Sequence, residues 1–127
     1  MKPLNPPGIH PPFGAYSSGF EAQARRIVGT SGQLGIRPDG TIPADVEAQA
    51  ELCFAAIDAI LAEAGLGREH VLRLSAFVTA RELMPRYMAV RDRWLAAQAV
   101  KPASTLIIVT GFSRPEFLVE IEALAAG

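Results

Sequence analysis

The chain has 127 residues, half of them apolar and a fifth charged, with a net charge of −1 at neutral pH. That is the size of one domain with a packed core, and the charge balance gives no basic surface of the kind that nucleic acid or an anionic membrane requires. A single cysteine, Cys53, excludes an intrachain disulfide and suits a reducing compartment. No apolar run approaches the roughly 20 residues needed to span a bilayer, and the N-terminus lacks the apolar core of a signal peptide. The expected setting is the cytoplasm.

Residues 1–13 carry Pro3, Pro6, Pro7, Pro11 and Pro12, which fix φ and remove donors, so this segment is expected to be extended and irregular along the surface. Tyr16 to Ala24 and Arg25 to Ser31 read as two short strands. Gly32 and Gly35 then loosen the backbone, and Asp39-Gly40 signals a type I′ turn between Ile36 and Ile42. From Pro43 to about Ala64 the apolar residues Val46, Ala50, Cys53, Ile57, Ile60 and Ala64 recur at helical spacing, and Gly65 and Gly67 supply the stop. Val71 to Thr79 alternates as a strand, with Leu72, Leu74, Ala76 and Val78 on one side and Arg73, Ser75, Phe77 and Thr79 on the other. A second helix is predicted from about Glu82 to Ala97, with Leu83, Tyr87, Val90 and Trp94 on one stripe and Pro85 tolerable only near its first turn. Thr105 to Val109 and Phe117 to Leu124 complete the set as strands.

The order β-β-(β)-α-β-α-β-β predicts an α+β domain over residues 1–127, a mixed six-stranded sheet with two helices packed on one face. The other face also carries apolar side chains such as Phe77, which a lone copy would leave wet. A sheet apolar on both sides with helices for only one implies an oligomer, although the reasoning does not give its number.

Several residues have the chemistry for a site. Phe13-Gly14-Ala15-Tyr16-Ser17 sets a tyrosine beside a glycine, where its hydroxyl either enters a cleft or meets water over a packed ring. In Thr30-Ser31-Gly32-Gln33, Ser31 offers a donor and acceptor and Gly32 lets a ligand approach the backbone; a plain strand-end turn would use the same residues. Glu120 and Glu122 share one face of the last strand, beside Leu118 and Leu124. Half-buried carboxylates there would either position water or pair with Arg26, Arg73 or Arg91 across an interface. His10 and His70 stand alone, without partners at ligand spacing, so neither a metal nor another cofactor is expected. Cys53 lies on the apolar stripe of the first helix and reads as core.

Taken in order, Gly14-Ala-Tyr16, Thr30-Ser-Gly-Gln33, Asp39-Gly40, Ser104-Thr105 and Val119-Glu-Ile-Glu-Ala123 make the chain similar to the RidA/YjgF family. The resemblance runs from about Phe13 to Ala125. It implies a chorismate-mutase-like fold, a trimer whose three sheets face inward as a barrel, and small-metabolite clefts between subunits. Many members hydrolyse enamines or imines. The resemblance puts Tyr16, Ser31 and Glu120 in catalytic positions, Glu120 as the cleft glutamate and Glu122 as a structural one. It puts Phe13, Gly32, Met88, Ala103 and Thr105 along the ligand, and Arg114, in the loop between the last two strands, is a further ligand-binding candidate of this chain.

Two positions depart from the family pattern. Deaminating members use an arginine, whose planar fork holds the substrate carboxylate, where this chain has Ala103. Met88 stands where some members have a cleft asparagine. Both changes make the cleft more apolar and favour an uncharged or aromatic ligand. Arg114 and Arg91 are candidates to compensate, and the default reading of each is a solvated surface arginine. The expected function is small-metabolite binding, as a C–N hydrolase with weak or no activity on 2-imino acids; the alternative is a non-catalytic binding or sensing module. Ribonuclease action ranks last, since the chain has no basic stripe and no histidine pair.

Overall fold

The computed structural model describes residues 1–127. Seven strands and two helices alternate along the chain: β1 (Lys2–Leu4), β2 (Gly19–Glu21), β3 (Ile27–Gly29), β4 (Gln33–Leu34), α1 (Val46–Glu63), β5 (Val71–Val78), α2 (Met84–Trp94), β6 (Ala103–Ile108) and β7 (Val119–Ala126). The fold is the α+β arrangement read from the sequence, but the predicted single six-stranded sheet is divided. A five-stranded sheet runs β3-β7-β5-β6 with β4 also on β7, and β1 and β2 form a separate two-stranded ribbon. The residues around Tyr16 to Ser31 therefore do not pair with each other. Gly19–Glu21 turns back onto the proline-rich N-terminus, Pro3 facing Phe20, while Ile27–Gly29 runs along the C-terminal end of β7. Pro3 is compatible with a strand because this ribbon is all edge.

Helix α1 begins at Val46, three residues after the predicted start at Pro43, and ends at Glu63. Asp45 caps its N-terminus, Oδ2 accepting from Ala48 N–H at 3.0 Å. At the other end Gly65 takes φ +72°. Gly65 N–H then reaches Ala62 O and Leu66 N–H reaches Leu61 O, the paired bonds of a Schellman motif. Helix α2 follows a 3-10 turn at Arg81–Leu83, and Pro85 sits within its first two positions, where no helical N–H is lost. The Asp39-Gly40 turn differs from prediction. Only Gly40 has positive φ there, at +87°, whereas type I′ needs two such residues. Pro38 and Asp39 instead occupy the middle of a turn closed by Gly40 N–H on Arg37 O.

Both helices cover one face of the large sheet. Val46, Ala50, Cys53, Phe54, Ile57 and Leu61 from α1 meet Leu74, Ala76 and Val78 from β5 and Val119, Ile121 and Ala123 from β7 in one buried cluster, which Tyr87, Val90 and Trp94 of α2 complete. Burial, with a contribution from the charge of Glu120, pushes the Cys53 thiol up to about 12. It is a core residue, donating to Gln33 O. Polar contacts bridge the groove between the helices: Arg68 grips Asp58 through two nitrogens, and Trp94 Nε1 donates to the same carboxylate.

Gln49 ties three segments together from inside the core. Its Nε2 donates to Pro43 O and Glu116 O, and its Oε1 accepts from Leu118 N–H, each at 2.8 Å. Gly35 is a glycine for the same reason: a Cβ there would lie 2.5 Å from Gln49 Cα, so the residue allows contact with α1 rather than loosening the chain. Gln49→Leu removes the partners of three buried or half-buried backbone groups at nearly constant volume. It should lower unfolding stability by about 2–4 kcal/mol, seen as a lower urea midpoint at unchanged m-value; an unchanged midpoint would show that these bonds are replaced by water.

Candidate functional site

The uncovered face of the sheet is organised in three cross-strand rows by the register of β6, β5 and β7. Ala103, Arg73 and Leu124 form the first row, Thr105, Ser75 and Glu122 the second, and Ile107, Phe77 and Glu120 the third. Leu34 of β4 continues the third row beyond Glu120. Glu120 is thus a half-buried carboxylate between an aromatic and an aliphatic neighbour, an expensive placement for a charge. Gly32 lies directly beneath it: a Cβ on Gly32 would sit 2.5 Å from Glu120 Oε1. Gly32 and Glu120 are therefore brought together, with Ser31 exposed one residue before.

The second row opens a hollow of about 330 Å³ lined by Gly29, Thr30, Arg73, Ser75, Glu122 and Leu124, among others. Arg73 donates to the Thr105 hydroxyl, so Thr105 is already engaged within the chain. Neither Glu120 nor Glu122 has an intrachain ion pair.

Tyr16, Phe13 and Met88 lie elsewhere. They line a cavity of about 270 Å³ on the helix side of β6, together with Met84, Arg91, Ser104 and Leu106. Alternation along β6 explains the division: Ala103 and Thr105 point to the uncovered face, Ser104 and Leu106 to the helices. Tyr16 is held in this place by the residue after it, Ser17, which is pinned to the chain just before β6. Ser17 N–H donates to Pro102 O at 2.9 Å, and Ser17 Oγ donates to Lys101 O at 2.5 Å. The Tyr16 hydroxyl accepts from Phe13 N–H at 3.0 Å, which leaves its own proton free to donate. Phe13 itself is 83 % exposed.

Two readings of the arginines separate here. Arg114 is exposed, as expected for a solvated residue. Arg91 is not: it is 2 % exposed, its guanidinium carbon 5.9 Å from both the Tyr16 and the Tyr87 ring centres. Its burial was legible in principle, because it lies four residues after Tyr87 on the very stripe that α2 buries. Ala103 is 4 % exposed, covered where Ser17 bridges to it, so its methyl is not an open wall of either hollow.

In one chain the proposed catalytic residues thus do not converge. Tyr16, Phe13 and Met88 are on the helix side of β6, and Glu120, Gly32 and Thr105 are on the other. Beyond Ala103 the outer edge of β6 pairs with no strand of this chain, and Ile107 and Ile108 on it are exposed.

Known proteins share this fold and between a quarter and a third of this sequence. Residues 9–127 match the family described as Endoribonuclease L-PSP. A RutC family protein of Aquifex aeolicus is 29 % identical over 108 residues, which is 84 % of this chain and 85 % of that protein. The structure of Escherichia coli TdcF with bound serine superposes with a TM-score of 0.75 at 30 % identity, over 97 % of this chain and 93 % of that one. A Yersinia pestis protein of the conserved Rid family, YyfB, superposes with a TM-score of 0.86 at 26 % identity, over 99 % and 98 % of the two chains. The ordered motifs, the two-helix mixed-sheet fold and these matches agree: the chain belongs to the Endoribonuclease L-PSP family, also called RidA/YjgF.

Proposed function

We propose that this chain binds a small metabolite in clefts formed between copies of itself in a trimer, and that the cleft supports hydrolysis of an enamine, imine or related C–N compound. The observation that carries this reading is the division of the site by β6. One copy offers a wall of Phe13, Tyr16, Met88 and Ser104; the opposite wall, with Ser31, Gly32 and Glu120, belongs to the other sheet face. The unpaired edge of β6, with Ile107 and Ile108 exposed, is a surface that favours burial by another copy. Serine in the TdcF structure supports a ligand of amino-acid size. A cytoplasmic trimer without a resident cofactor fits this reading.

In the reaction, Glu120 accepts a proton from water as its oxygen adds to the carbon of the C=N bond. The Tyr16 hydroxyl donates toward the nitrogen, and Ser31 holds the water or the nitrogen. Collapse of the carbinolamine breaks the C–N bond, releasing an amine or ammonia and leaving a carbonyl. The family arginine is a methyl here, at Ala103, and that methyl is covered. A 2-imino acid therefore lacks the family arginine at position 103, and Arg73, which faces Ala103 in the same row, is engaged with the Thr105 hydroxyl. Non-catalytic binding is the second reading, favoured by the same methyl.

Two outcomes follow. A 2-imino acid generated in situ by an amino-acid oxidase should decay at nearly the same rate with and without the protein, within about twofold; acceleration of the order of 10²-fold, the contribution of one positioned acid–base group, would contradict the role given to Ala103. Where an active C–N substrate is found in a screen, Glu120→Gln should lower kcat by about 10²-fold with little change in KM. Unchanged turnover would remove Glu120 from the mechanism and leave the binding reading.

A further inference from the structure

Arg91 is a buried cation without enough partners. A guanidinium keeps its charge at any physiological pH and carries five N–H donors. In this chain Nε donates to Asp92 Oδ1 at 3.1 Å, and Nη1 reaches Ser104 Oγ only at 3.5 Å. Nη2 is buried and has no hydrogen-bond partner, although it lies 3.1 Å from the same Asp92 oxygen. The single counter-ion, Asp92, is about half exposed, so water competes for it. Holding a charge in such a place is costly unless a further acceptor completes it.

The cavity beside it has the complementary character. Arg91 is the only charged residue in its lining, and no carboxylate faces it there. Nη2 points toward Gly14 and Met88: a Cβ added to Gly14 would be 3.1 Å from Nη2 and 3.7 Å from Met88 Cε. The free proton of the Tyr16 hydroxyl and the Ser104 hydroxyl add two neutral donors, and Met84, Met88, Leu106 and Phe13 supply the apolar remainder.

We infer that Arg91 is the anion anchor of this cavity, and that its ligand is a small carboxylate with a compact apolar body. The carboxylate accepts from the guanidinium edge and the Ser104 hydroxyl, and its hydrocarbon part lies against the two methionines and Leu106. The inference rests on the proposed reading of the cavity as one wall of the ligand cleft, and it deepens that reading in one respect. The ligand keeps a negative charge, but α2 holds it instead of position 103. The expectation of an uncharged ligand is replaced. Because the anchor has moved to the other side of β6, the reacting carbon of a 2-imino acid is offset from the place the family pattern gives it, which is consistent with poor turnover of that class.

The test is isothermal titration of the full-length protein with benzoate and 2-oxobutanoate, each against its neutral amide, in wild type, Arg91→Met, Arg91→Lys and Met88→Glu. Wild type should bind each carboxylate about tenfold or more tightly than its amide, the scale of one charge-assisted contact. Arg91→Met should erase that preference, and Arg91→Lys should keep part of it. Met88→Glu, one turn before Arg91, supplies an internal carboxylate and should also erase it. Thermal unfolding identifies any variant that fails to fold; if Arg91→Met does, Met88→Glu decides, since it leaves the arginine in place. Equal binding of amide and carboxylate by wild type, or an undiminished preference in a folded Arg91→Met or Met88→Glu, overturns the anchor and leaves the cleft reading standing. No binding of any probe or of a wider metabolite panel overturns both.

Discussion

Strand β7 pairs along one edge with β5 and along the other with β3 and β4, and its strict alternation sets what each face of the sheet is for. Val119, Ile121, Ala123 and Ala125 are buried beneath the helices, while Glu120 and Glu122 turn to the uncovered face. A slip of one residue would put both glutamates into the core and expose four apolar side chains. The register is held from the helix side as well, since Gln49 accepts from the backbone just before β7 and donates to Glu116 O. The position of Glu120 over Gly32 follows from the β4–β7 pairing and from the absence of a Cβ at Gly32.

Strand β6 plays a different part. It lies at the edge, parallel to β5, so each of its two faces meets separate chemistry and its outer edge meets little of the chain beyond Ser17. Parallel pairing needs a long crossover, and α2 provides it, which is how Met88 and Arg91 come to lie over Ser104 and Leu106. The N-terminal segment then closes that space by pinning Ser17 to residues 101 and 102 and standing Tyr16 against Arg91. A cavity with a buried cation and a carboxylate in an apolar row are thus built on opposite faces of the sheet. Each is an unfinished electrostatic arrangement in a single chain.

Much of this was legible in the sequence where the cause is local. The period of α1 and its Gly65 stop, and the alternation of Val71–Val78 and Val119–Ala126, all reflect patterns within a few residues, and the structure follows them. The motif order carried the family, because Tyr16, Gly32, Glu120 and the residues around 103–105 occur at compatible spacing. The strand partners differed from expectation because their cause is non-local. Nothing between Tyr16 and Ser31 states that Gly19–Glu21 prefers the proline-rich N-terminus as a partner, so six strands in one sheet became five plus a ribbon. The Asp39-Gly40 signal was read without Pro38, whose fixed φ places the turn one residue earlier. Arg91 was read by its charge, although its place on the buried stripe of α2 was in view; an arginine four residues after a core tyrosine has to be either buried or bent away, and here it is buried.

Native mass spectrometry at micromolar chain concentration decides whether other copies join the two half-sites of one chain. A dominant species of three chains is expected, dissociating when Ile107→Lys puts a charge on the free edge of β6. A stable monomer would leave the wall of Ser31, Gly32 and Glu120 without a second copy to meet, and the shared cleft would fall.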